Sequence, residues 1–341
     1  MDNSSKLFII VGATASGKKS VAQAIVEKLN AEIISLDSMK VYRGMDIGTA
    51  KPNSGEIKKY KYQLIDIVEP STTYNVAQFI KDCESAIENI RKRSYQPLLV
   101  VGTPLYLRSL LYGIFEGPSA DASIRERLEK LAQDKGIPFL YERLREVDPA
   151  KADKIHSNDL RRIIRALEVY ELTGQPISDF QTHFCDGTPK LPPRYPAILV
   201  GLKWEREVLY QRIDQRVEQM FENRLVEEVE PLWKNNLLCR QTLQAIAYQE
   251  IIQYLEGKIT LSDAKELIKK RTHHLARKQM TWFRSFSRWG IPNDFAFGKP
   301  KVTSLDSTSA SGIQWIDVTS ESKIEKIASD VLEKFSIQNK G

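Results

Sequence analysis

The stretch Gly12-Ala13-Thr14-Ala15-Ser16-Gly17-Lys18-Lys19 carries glycine and lysine at the spacing GxxxxGK. Glycines allow a tight turn whose successive amide N–H groups face one point, and lysine adds a full positive charge. At the start of a helix, such a loop holds a phosphate anion. All eight residues are therefore candidate diphosphate ligands, with Lys18 the charge that would stabilise a departing phosphate oxygen. The bland alternative is a glycine turn with an exposed lysine; a strand before and a helix after the loop argue against it. Motifs of this kind place Ser or Thr after the lysine, where the hydroxyl binds magnesium. This chain has Lys19 there, and Ser20 is turned away by a helical step of about 100°. The metal ligand is therefore unknown. Asp37 is a second candidate, a carboxylate suited to accept a proton, or else a turn or helix N-cap residue.

The elements around these residues are those the chemistry needs. Residues 7–11 form a β-branched apolar run ending at Gly12, and a helical pattern starts near Lys18. Further strands are expected at 32–36, 63–67, 97–101 and 197–202, with a helix over 76–93. Strands alternating with helices predict a parallel sheet flanked by helices. Residues 120–193 read as charged helices without a convincing strand. The expectation is an α/β fold with a phosphate-loop core at 1–118 and 196–341 and an all-helical insertion at 119–195. A Ser/Thr-rich loop, a strand in IQWIDV and a helix near 322–335 should close the chain.

The chain has 341 residues, 42% hydrophobic and 28% charged, ordinary for a soluble globular protein of one large or two unequal domains. A net charge of +6 is compatible with a polyanionic partner. Cys83, Cys185 and Cys239 suggest no disulfide framework. With His156, His183, His273 and His274 they offer no zinc spacing. The apolar stretch near the N-terminus is too short and glycine-broken for a signal peptide or membrane span. A cytoplasmic, monomeric protein is expected, away from membranes.

Two basic stretches could meet nucleic acid. Arg162 and Arg165 are three apart on one helix face, with Arg161 to the side. They suit phosphate or base contact, or a salt-bridged surface. Residues 263–288 carry Lys265, Lys269, Lys270, Arg271, Arg277, Lys278, Arg284 and Arg288, which could track an RNA backbone. The interleaved Trp282, Phe283 and Phe286 are read as core rather than as base-stacking platforms.

Residues 37–52, DSMKVYRGMDIGTAKP, resemble the hallmark of tRNA dimethylallyltransferases, as do LIDI at 64–67, VGTPLYL at 101–107, IHSNDLRRIIRALEVYELTG at 155–174 and ARKQMTWFR at 276–284. The resemblance implies transfer of a dimethylallyl group from its diphosphate to the exocyclic amine of the adenosine 3′ of the anticodon. It implies magnesium as cofactor, and catalytic roles for Asp37, Lys18 and Thr103. It also implies tRNA contacts by Asp37, Ser38, Met39, Lys40, Thr103, Arg125, Arg161, Arg162 and Arg165, with the insertion on the anticodon stem-loop. Some positions depart from the pattern. Lys19 replaces Thr, Lys40 replaces Gln, and Val101 and Pro104 replace glycines. Arg224 replaces a glycine, Ala247 and Gln249 interrupt a GYKE run, and His273 replaces an arginine. An active enzyme, an impaired tRNA-binding paralogue and a small-molecule kinase are the readings these residues leave.

Overall fold

The computed structural model describes residues 6–114, 117–180, 184–185, 188–189, 193–286 and 312–337. Arg288, His183 and most of the Ser/Thr-rich stretch lie outside the described residues, and of Cys185 only the backbone is described. Clustering of the backbone gives two compact units, Met1–Leu111 with Pro193–Gly341, and Tyr112–Pro192.

The first unit opens with β1 (Leu7–Gly12), α1 (Lys18–Ile25), β2 (Ala31–Leu36), α2 (Ser54–Lys59), α3 (Val76–Lys92), β3 (Gln96–Val101) and α4 (Pro104–Tyr112). The second holds α5 (Ala122–Lys135), α6 (Ile137–Val147), α7 (Pro149–Ala152), α8 (Leu160–Thr173), α9 (Ile177–Phe180) and two short strands, β4 (Phe184–Cys185) and β5 (Thr188–Pro189). The chain then returns through β6 (Ala197–Trp204), α10 (Arg206–Glu222), α11 (Leu225–Lys234), α12 (Arg240–Leu243), α13 (Tyr248–Leu255), α14 (Leu261–Phe286), β7 (Gln314–Val318) and α15 (Ile324–Ile337).

Five strands form one parallel sheet in the order β2-β3-β1-β6-β7. Phe8 pairs with Leu98 on one side and with Ile198 on the other, so β1 is central. Every residue of β1 and β2 is buried, which is why β1 reads as a continuous apolar run rather than an alternating one, while β2 also buries Glu32 and Ser35. Phe8, Ile10, Ile33, Leu98, Ile198 and Val200 pack against Val21 and Ile25 of α1 and Val331 and Phe335 of α15. Phe8 and Phe335 stack at 4.6 Å. The expected α/β fold with a parallel sheet is thus observed.

The strand expected at 63–67 does not form. Gln63 makes one bridge to Ile34, its N–H donating to Ile33 O at 2.8 Å. The run then breaks because Leu64 (φ 62°) and Asp66 (φ 55°) are left-handed, a conformation incompatible with an extended strand. The paired two-residue strands β4 and β5 were also not expected. Phe283 and Phe286 are fully buried, as the core reading required, but Trp282, read as core with them, is only half-buried.

In the helical unit Leu128, Leu140, Leu144, Ile163 and Leu167 form the centre of a separate core. Glu168 is fully buried there. Arg125 donates to both of its oxygens at 2.8 and 2.9 Å, Arg165 donates at 2.6 Å, and the Asp121 N–H donates at 2.8 Å. Burial alone would raise this carboxyl's pKa, but the Arg125 and Arg165 hydrogen bonds prevail and hold it below its usual value.

Two departures from the family pattern fall at left-handed positions. Arg224 sits at φ 67° before α11, and Ala247 at φ 77°, ψ −40° before α13. The second pair of angles is costly for any residue with a Cβ, about 1–3 kcal/mol. Glycine there would lose about 0.4–1 kcal/mol through unfolded-chain entropy, so strain relief wins. Ala247→Gly should therefore stabilise the protein by about 1 kcal/mol, read as a higher urea midpoint at unchanged slope. An unchanged or lower midpoint would show that the position is not strained.

Candidate active site

The carboxyl ends of β1, β2 and β3 are neighbours in the sheet, and each delivers one part of the site. This is where ligands bind in open parallel sheets. A cavity of about 1250 Å³ opens there. Its lining includes residues 14–20, 37–40 and Thr103, so the phosphate loop, Asp37, Ser38, Met39, Lys40 and Thr103 are brought together. Gly12 and Ala13 lie at the foot of the loop, where their carbonyls accept from Lys18 Nζ at 2.7 and 2.6 Å.

The loop needs its glycines. A Cβ on Gly12 would meet Ser16 Oγ at 2.8 Å and Leu202 O at 3.0 Å, and Gly17 takes φ 89° at the N-cap of α1. Ser16 Oγ is buried and makes no hydrogen bond among the described residues. Trp204 Nε1 donates to Ser16 O at 3.0 Å and Arg212 Nε to Ala15 O at 3.0 Å, fixing the loop from α10 and the end of β6. Burial, reinforced by Lys40 and Arg216, pushes the Lys18 ammonium down to about 7.

Asp37 ends β2. Its Oδ1 accepts from Met39 N–H at 2.9 Å and Lys40 N–H at 3.3 Å, an Asx turn that leaves Oδ2 outside these bonds. Gly102 makes room for it: a Cβ there would stand 2.3 Å from Oδ2. Thr103 Oγ1 accepts from Ser38 N–H at 3.0 Å. Pro104 does not reshape this loop, because it begins α4, where a missing N–H costs nothing. Thr103 N–H still donates to Leu36 O at 2.9 Å.

Several residues of the site were not singled out from the sequence. Gln279 of α14 accepts from Thr14 N–H at 2.7 Å and donates to Gly102 O at 2.6 Å, joining the phosphate loop to the seat of Asp37. Its only sequence signal was its place within ARKQMTWFR. Arg216 of α10 donates to Thr14 Oγ1 at 3.2 Å and to Thr49 O at 3.5 Å. Only its i,i+4 spacing from Arg212 marked it. Glu228 accepts from the backbone N–H groups of Asp46, Ile47 and Gly48 at 3.0, 2.6 and 3.1 Å, which shapes the wall after Lys40.

The remaining tRNA candidates lie in the helical unit. Arg161 and Arg162 are exposed, the latter 3.3 Å from Asp159. Arg125 and Arg165 are engaged by Glu168, as described above. On α14, Lys265 and Lys269 pair with Glu218, and Arg271 with Glu250, while Lys270, Arg277, Lys278 and Arg284 are exposed. Among the described residues, only part of that helix's charge therefore faces solvent unpaired by carboxylates.

Magnesium needs hard oxygen ligands in near-octahedral array. Position 19 offers instead an ammonium, bound to Glu56 Oε1 at 3.1 Å. The field at Asp37 is dominated by cations: Lys18, Lys40 and Arg216 all interact with it. Among the described residues no three His, Cys, Asp or Glu side chains cluster as a metal site. These residues do not fit a protein-held magnesium ion.

The family model "IPP transferase" matches residues 40–286, and "Isopentenyl transferase" matches residues 5–69. A tRNA dimethylallyltransferase of Thermoanaerobacter sp. (strain X514) is 45% identical over 85% of this chain and 93% of its own length. One from Carboxydothermus hydrogenoformans is 42% identical over 98% and 99%. The crystal structure of a full-length tRNA isopentenylpyrophosphate transferase from Bacillus halodurans superposes with a TM-score of 0.65 at 35% identity, covering 98% of each chain. A eukaryotic dimethylallyltransferase acting on tRNA gives 0.78 at 26% identity, over 98% of this chain and 80% of that one. By the span of that family match and the identity to relatives over most of its length, this chain belongs to the IPP transferase family.

Proposed function

We propose that this protein transfers a dimethylallyl group from dimethylallyl diphosphate to the exocyclic amine of the adenosine 3′ of the anticodon in tRNA. One observation carries the reading most: a phosphate loop and an acceptor carboxylate share one cleft, tied together through Gln279. The diphosphate would sit on the loop amides, with Lys18 leaving the Gly12 and Ala13 carbonyls to meet it. The amine lone pair forms the new N–C bond as the allylic C–O bond breaks and its electron pair leaves with the diphosphate. Oδ2 of Asp37 then takes the amine proton. Thr103 would orient the incoming base through the hydroxyl already fixed at Ser38 N–H.

The adenosine must leave its stack to enter the cleft, which costs a few kcal/mol and less in a single-stranded loop. The exposed Arg161 and Arg162 suit contact with the stem phosphates. Glu168 gives Arg125 and Arg165 a structural task, so their removal would act on the helical unit as well as on RNA. No helix of the described residues is long and apolar enough to cross a membrane.

The direct test is transfer of labelled dimethylallyl to an unmodified anticodon stem-loop, against one with purine riboside in place of the adenosine. Product with the first only supports the reading. A bound but unmodified stem-loop would support an impaired paralogue, and phosphorylation of a small molecule would support a kinase. Asp37→Asn should lower kcat by about 10²–10⁴-fold while stem-loop affinity is retained. Gly102→Ala should lower kcat by about 10²-fold through displacement of Asp37, with an unchanged circular dichroism spectrum. Activity near the parent rate in either variant would remove Asp37 as the proton acceptor.

Protonation of Lys18 gives a pH signature. Below pH 7 its ammonium is already charged. Above about 7 it is increasingly neutral, and an arriving anion favours the charged form. Donor binding should therefore take up a proton at pH 8 but not at pH 6, and affinity should fall as pH rises. Calorimetry in two buffers of different ionisation enthalpy measures this; equal heats at pH 8 would contradict it.

A further inference from the structure

We infer that Lys40 and Lys19 supply, on the leaving diphosphate, the positive charge that a divalent cation would otherwise bring. The inference rests on reading the cleft as a diphosphate site. Both residues line that cleft, and the one carboxylate that holds either ammonium among the described residues, Glu56 on Lys19, can release it.

The Asp37 Oδ1 atom is already bound by two backbone N–H groups, one of them Lys40's own. The carboxylate thus attracts the Lys40 ammonium through its field without needing it as a hydrogen-bond donor. Lys40 lies in the same electrostatic neighbourhood as Lys18, Arg216, Lys19 and Lys51. Burial is the main cause that holds its ammonium near 8, with Asp37 opposing it and Arg216, Lys19 and Lys51 adding to it. Such a group gains most from an anion with several negative charges placed among them.

Lys19 has a different restraint. Its partner Glu56 also accepts from Gln23 at 3.0 Å and from Asn53 N–H at 2.9 Å, where it completes the capping box of α2. Glu56 therefore stays satisfied if Lys19 turns toward the cleft. The Lys19 side chain is 38% exposed and that of Glu56 25%, and an ion pair so open to water is weak. An ammonium on a flexible stem, with three donors and no fixed plane, can follow the diphosphate as its charge grows during C–O cleavage. In the transfer step the bond pair leaves on the diphosphate oxygen, the amine proton goes to Asp37, and the ammonium groups neutralise the departing anion without losing a proton.

The probe is inorganic pyrophosphate, measured by calorimetry on the full chain with EDTA and with magnesium. The unaltered protein should bind it in EDTA within about threefold of its affinity in magnesium. The double variant K19T/K40Q should bind about a hundredfold more weakly in EDTA, two lost charges at about tenfold each, and regain affinity with magnesium. K40R, which keeps the charge, should stay near the unaltered protein and guards against a folding artefact in K40Q. Binding by the unaltered protein that requires magnesium would overturn the inference. So would a folded double variant that still binds fully in EDTA. Failure of the proposed function is distinguishable. Metal-free pyrophosphate binding that depends on both lysines, with no prenyl transfer under any condition, would sink the reaction and keep the charge assignment. Transfer that needs magnesium would do the reverse.

Discussion

Three cations crowd one carboxylate at the carboxyl ends of the parallel strands. Lys18, Lys40 and Arg216 each feel Asp37, and Lys18 and Lys40 feel each other and Arg216. In partly desolvated surroundings like charges repel more strongly than in water, so the frame must hold each one by other means. Lys18 is tied to the carbonyls of its own loop, and Arg216 to Thr14 and Thr49. Lys51, 2% exposed, is pinned between Asp46, Asp66 and the Tyr42 carbonyl. Those restraints come from backbone oxygens and a hydroxyl as well as carboxylates. Lys51 is neutralised by its two carboxylates, whereas Lys18 and Arg216 are held by uncharged oxygens that leave their charge available to an anion.

The sheet order explains how such a cluster is built. β2, β3 and β1 lie side by side, so Asp37, Gly102 and Gly12 end at one edge of the sheet. Helices α10 and α14 then reach back from far along the chain. Trp204, Arg212 and Arg216 grip the loop from one direction and Gln279 from another. An amide suits the Gln279 position because it must accept from Thr14 N–H and donate to Gly102 O at once. Neither Glu nor Lys can do both when charged. One nearly buried side chain thus ties the loop 12–19 to the backbone beside Asp37.

What was legible in the sequence follows the range of the interaction. The loop 12–19 and Asp37 rest on contiguous motifs at strand ends, where local pattern and backbone geometry agree; the bond from Ser38 N–H to Thr103 Oγ1, 65 residues away, was not legible. Arg216, Gln279 and Glu228 act across more than 170 residues of chain, and no spacing rule reaches that far. Arg165, by its spacing from Arg162, and Arg125, by resemblance, are each expected at RNA because a sequence does not show that Glu168, 43 residues from Arg125, turns inward between them. The strand expected at 63–67 has the right side chains; the left-handed turns at Leu64 and Asp66 that prevent it leave no compositional mark. Lys51, within a quoted motif, reaches one of those turns at Asp66, and that tertiary contact overrides local strand propensity.

The departures from the family pattern divide along the same physical line. Pro104 falls where a helix start accepts it, and Arg224 and Ala247 hold left-handed angles at a local cost. His273 stacks on Tyr210 at 4.0 Å with Nε2 2.8 Å from Asp214. None of these alters the cleft's charge. Lys19 and Lys40 do, by placing two ammonium groups where the family pattern has a hydroxyl and a neutral amide. Backbone changes are absorbed one at a time by the turns that carry them. A charge change cannot be absorbed locally, because its field reaches every ionisable group in the cleft. The two lysines therefore act on the same property, the cleft's capacity to hold a multiply charged anion, and each strengthens the effect of the other.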